Sequence, residues 1–103
     1  MDKAKNFGFK KYIYRNHAQL RMFERNITTD DAEEVIEYGE IIEKYPDDTP
    51  YPSWLIFKIV NHRPLHVVVA ASKATDEGII ISLYEPSSGK FESDFKTRKR
   101  KKL

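Results

Sequence analysis

No cysteine occurs among the 103 residues, so disulfides and every cysteine-based metal site or nucleophile are excluded. Apolar runs long enough to cross a bilayer, roughly 20 residues, are also missing. The N-terminal stretch MDKAKNFGFKKYIYR lacks the unbroken apolar core of a signal peptide, and the expectation is a cytoplasmic protein without membrane contact. Histidine is scarce, at three residues, and His17, His62 and His66 show neither HxH nor HExxH spacing. No metal and no other cofactor is expected.

What remains is 40% hydrophobic and 33% charged. Such a chain has enough apolar surface for one small domain and too little for two. The expected organisation is a single globular domain over residues 1–95 and a basic C-terminal tail over 96–103.

The net charge of +2 conceals an uneven distribution. Residues 1–25 carry seven Lys/Arg against two acids, residues 28–48 carry nine acids against Lys44, and KTRKRKKL at the end carries six basic groups and no acid. Basic poles on an acidic body suggest a polyanion partner for the former and a cationic partner for the latter. A plainly solvated surface is the alternative for the acidic run.

Residues 15–26 read as a helix, with Leu20, Phe23 and Ile27 as its apolar stripe. At about 100° per residue, His17, Arg21 and Arg25 point together along another side. Thr28 is placed to cap a second helix that carries Ala32, Val35 and Ile36 inward and stops at Gly39. Extended stretches follow at EIIEKY, WLIFKIV, PLHVVVAAS and GIIISLYE, joined by links short enough for hairpins. The fold class expected is α+β: two N-terminal helices packed on an antiparallel sheet of about four strands. A hairpin symmetric about Thr75 places His66 opposite Tyr84, with Ile80, Ser82 and Tyr84 on one face.

Taken singly, these residues have modest readings. His66 within an apolar strand reads as a half-buried structural histidine, His62 as an exposed turn residue, and the HxxxRxxxR stripe as a wet helix face. The stripe also suits chemistry, because imidazole moves protons near neutral pH and guanidinium groups grip phosphate through paired hydrogen bonds. The tail SDFKTRKRKKL offers phosphate contacts beside Phe91 and Phe95, or is a disordered solubilising end.

The blocks HAQLRM (17–22), ERNIT (24–28), YGEIIEKYPDDTPYPS (38–53), RPLHVVVA (63–70), ISLYEP (81–86) and DFKTR (94–98) together resemble domain-of-unknown-function family 4258. That family is similar to the RelE/barnase-like toxin ribonucleases, and its members are often encoded beside small antitoxin-like proteins. The resemblance implies functional positions at His17, Arg21, Met22, Arg25, His66, Tyr84, Asp94 and Arg98. Ser82 stands where threonine is common, and Phe91 where tryptophan is usual.

From this follows the expectation of a metal-independent endoribonuclease of toxin type acting on single-stranded RNA. His17, His66 and Tyr84 are its candidate catalytic groups, and Arg21, Arg25, Arg98, Lys96, Lys99 and Arg100 its phosphate- and RNA-binding groups. RNA and a small antitoxin-like protein are the expected partners. The alternative is a non-catalytic RNA- or protein-binding module. In that case Arg21 pairs with an acid such as Asp94 and His66 faces the interior.

Overall fold

The computed structural model describes residues 4–99. Its element order is β1 (Lys11–Tyr14), α1 (Asn16–Arg25), α2 (Thr29–Tyr38), β2 (Glu40–Tyr45), β3 (Ser53–Val60), β4 (Arg63–Ser72) and β5 (Glu77–Tyr84). The strands form one sheet ordered β1-β5-β4-β3-β2. It is α+β as expected, but the sheet has five strands and is mixed, because β1 lies parallel to β5. KYIY escapes a sequence reading: a four-residue strand crowded by Lys10, Lys11 and Arg15 shows too little apolar alternation. Its partner lies some 65 residues further along the chain. Among the described residues no helix is long and apolar enough to cross a membrane.

Local chemistry explains the boundaries. Thr28 and Asp31 form a reciprocal capping box, with Asp31 N donating to Thr28 Oγ1 at 3.0 Å and Thr28 N to Asp31 Oδ2 at 3.1 Å. Asn26 ends α1 in the left-handed conformation, φ 54°, which Asn tolerates better than most residues. Asn61 and His62 both have positive φ, 51° and 68°, as a two-residue hairpin turn matched to the twist of β3 and β4 requires. Gly39 ends α2 in ordinary extended backbone (φ −78°), so its smallness, not a left-handed turn, is what the position uses. A Cβ there would stand 2.4 Å from the Val35 carbonyl oxygen and 2.6 Å from that of Phe57.

The helices cover one sheet face. Ala18, Met22, Ile27, Val35 and Ile36 pack there against Ile56, Val60, Leu65, Val67, Val69, Ile80 and Leu83. The expected α1 stripe is thereby corrected: Leu20 is 56% exposed and Phe23 is 87% exposed. Spacing and bulk favoured those two, whereas the strand behind α1 admits the smaller Ala18 and the pliable Met22, one turn apart. In β5 a bulge at Ile81 moves Ile80 to the helix-covered face with Leu83, separating it from Ser82 and Tyr84.

The acidic run is largely satisfied within the chain. Glu37 accepts from Tyr12 and Glu33 from Tyr14, each at 2.6 Å, while Glu34 pairs with Lys58 at 2.9 Å. Burial first, and the neighbouring carboxylates second, push both tyrosine hydroxyls upward in pKa and keep them protonated donors.

Candidate functional site

The opposite sheet face carries a row of paired residues running across four strands: Glu40, Phe57, His66 and Tyr84. The segment after β5 folds back over this row and is pinned by a bridge between Phe91 and Arg98. Phe91 stacks edge-on to His66 with ring centres 4.6 Å apart, and Phe95 lies 6.2 Å from Phe57. The expected domain limit at 95/96 falls inside this segment. Ion pairs fasten it further, Arg98 to Glu43 at 2.7 Å and Lys96 to Glu40 at 3.2 Å. Arg98 therefore lowers the pKa of Glu43, whose carboxylate also accepts from Tyr45. Asp94 caps the turn through the backbone N–H groups of Lys96 and Thr97, both at 2.9 Å, which hold its pKa down to about 2. It is not the partner of Arg21.

His66 is completely buried. Its Nε2 lies 2.6 Å from the main-chain oxygen of Phe95, which can only accept, so Nε2 carries the proton. Nδ1 is left as an acceptor, facing the Tyr84 hydroxyl at 3.3 Å. Burial above all lowers the histidine's pKa and favours this neutral tautomer. Phe95 sits at φ 62°, an uncommon conformation for an aromatic residue that costs of order 1–3 kcal/mol, and it is this residue whose carbonyl meets the imidazole. His66 thus makes no direct contact with solvent. Of the groups expected with it, Tyr84 is the one whose side chain lies within hydrogen-bond distance of the imidazole.

Tyr84 is half-buried, and burial raises its pKa, so it is a neutral phenol. It also lines a groove of about 200 Å³ together with His17, Arg21, Arg25, Ser82 and Leu83. The α1 stripe and the β5 residue opposite His66 therefore meet in one open concavity, along the stretch of β5 beyond its pairing with β1. Among the described residues no carboxylate lies within salt-bridge distance of Arg21 or Arg25. Both cations are free to meet an anion in the groove.

Two residues outside the expected site hold this arrangement. Arg63 donates from Nη2 to the Arg25 carbonyl at 2.7 Å and from Nη1 to that of Asn26 at 2.9 Å, satisfying the C-terminal end of α1. It also grips Glu85 through Nε and Nη2 at 3.0 and 2.8 Å. One guanidinium thus ties α1 to the end of β5. A charged pair flanking RPLH and LYE was the available signal, hidden because the two lie 22 residues apart. Of the remaining expected RNA-binding residues, Lys99 is exposed at the described end of the chain, and Arg100 lies outside the described residues.

A family description, "Domain of unknown function (DUF4258)", matches residues 14–85. The match spans α1 to the end of β5 and so contains every residue of the groove. No curated protein and no solved structure matches the chain.

Proposed function

The chain belongs to the DUF4258 family, and from the groove built by the matched residues we propose a metal-independent endoribonuclease of toxin type acting on single-stranded RNA. One observation carries the reading: His17, Arg21 and Arg25 face Tyr84 across an open groove, and the Tyr84 hydroxyl is backed by a buried neutral imidazole. Two helices over one face of an antiparallel β2–β5 run support the likeness to RelE/barnase-like ribonucleases.

The chemistry needs only the RNA. The Tyr84 oxygen accepts the 2′-hydroxyl proton while the Tyr84 proton passes to His66 Nδ1. The 2′-oxygen then bonds to phosphorus, the bond from phosphorus to the 5′-oxygen breaks, and His17 in its protonated form supplies the proton to that oxygen. The products are a 2′,3′-cyclic phosphate and a 5′-hydroxyl. Arg21 and Arg25 stabilise the charge gathering on the phosphoryl oxygens, and one such donor is worth about 10²- to 10³-fold in rate. An RNA substrate fits the expected cytoplasmic location.

Purified protein should cut mixed single-stranded RNA in the presence of EDTA, and Arg21→Ala should lower the rate about 10²-fold or more. RNA left intact with and without EDTA overturns the proposal. The sealing of both His66 nitrogens favours one alternative, an RNA-binding module without catalysis, which would bind RNA through Arg21 and Arg25 and release it uncut. A small antitoxin-like partner would have the exposed Leu20 and Phe23 of α1 to cover.

A further inference from the structure

Tyr84 lines a second cavity as well, of about 320 Å³, together with Glu85, Ser87, Lys90, Phe91 and Arg98. Its charges are not equal in availability. Glu85 is held by Arg63, and Arg98 is held by Glu43 while lying 5.0 Å over the Phe91 ring. Lys90 has no carboxylate within salt-bridge distance among the described residues, and its side chain is exposed. The turn at Ser87–Phe91 fixes its backbone, with Lys90 N and Phe91 N donating to the Ser87 carbonyl at 3.2 and 3.0 Å.

Two cationic compartments that share one tyrosine suit successive phosphates of a single strand better than one isolated phosphate. Resting on the ribonuclease reading, we infer that the bound RNA continues past Tyr84 into this cavity, where Lys90 and the Ser87 hydroxyl hold the next phosphate. The substrate class is then a single-stranded oligonucleotide with phosphates on both sides of Tyr84. A ligand with one phosphate fills only the groove. The C-terminal segment becomes part of the binding surface although it lies outside the matched residues 14–85.

The test uses non-cleavable 2′-O-methyl oligouridylates carrying one or four phosphates, titrated by fluorescence anisotropy against the full chain. Lys90→Ala should weaken the four-phosphate ligand about 3- to 10-fold and leave the one-phosphate ligand within about 1.5-fold. It should also reduce the salt dependence for the longer ligand by about 0.7, the loss of one phosphate contact on a single strand. Ser87→Ala should act in the same direction and less strongly. Arg21→Ala should weaken both ligands. Lys90→Ala that leaves the longer ligand's affinity and salt slope unchanged, or that weakens both ligands alike, overturns the second compartment and spares the groove. Wild-type protein that binds neither ligand overturns both readings.

Discussion

Tyr84 donates its hydroxyl hydrogen to His66 Nδ1, 3.3 Å away, while the opposite nitrogen of the same ring is committed to the Phe95 carbonyl. Arg98 also acts on the phenol, and it opposes the upward push that burial gives its pKa. Tyr84→Phe should remove the proton relay and lower cleavage about 10²- to 10⁴-fold. Retained binding of a non-cleavable RNA, measured beside the rate, separates this from a loss of affinity. The variant also strands a buried acceptor, which should cost about 1–3 kcal/mol in a urea melt.

Protonation of His66 is linked to folding. Its folded pKa lies below the ordinary 6.5, so the imidazole is neutral in both states above that pH. As pH falls below 6.5 the unfolded chain takes up the proton and the folded chain resists it, so stability declines until the lower folded pKa is reached. The slope in that window is at most about 1.4 kcal/mol per pH unit. Urea melts at pH 7.5, 6.5 and 5.5 should show the decline, and His66→Asn should flatten it; equal slopes for the two proteins would remove His66 as its source.

Gly39→Ala should destabilise the domain by about 1–3 kcal/mol, because the added carbon meets the main-chain oxygens of Val35 and Phe57 and neither can yield cheaply. Thermal melting measures it. A variant as stable as the parent would mean that α2 and β3 separate more readily than their close packing indicates.

On α1 the expected order of sensitivity is the reverse of side-chain bulk. Phe23→Ser should change stability by no more than about 0.5 kcal/mol, since its side chain is already in water. Met22→Ala, in the buried row, should cost about 2–5 kcal/mol. Denaturant midpoints of the two variants decide it.

These cases show which parts of the molecule could be read ahead. The pairing of His66 with Tyr84 was legible because hairpin symmetry and strand alternation are local rules, and the register agrees from His66 to Val68. The bulge at Ile81 was not, because an inserted residue leaves no trace in an alternating apolar run. The second helix was clear from Thr28 to Gly39, since its cap and its stop are written in adjacent residues. The first was misfaced because nothing in NHAQLRMFER says how closely β5 approaches. The cover over His66 depended on Phe91 and Phe95 returning across the sheet, a long-range contact that composition does not announce. The HxxxRxxxR stripe was found by spacing, while Arg63, which anchors it, was not.

That anchor separates two kinds of sequence constraint. Arg63 holds α1 by main-chain carbonyls, which every residue possesses, and not by the side chains of His17, Arg21 or Arg25. The groove-facing positions can therefore change without altering the seat of the helix. The scaffold works as a fixed frame with an exchangeable insert, and descendants of one ancestral chain can acquire different ligand preferences along that stripe while keeping the same fold.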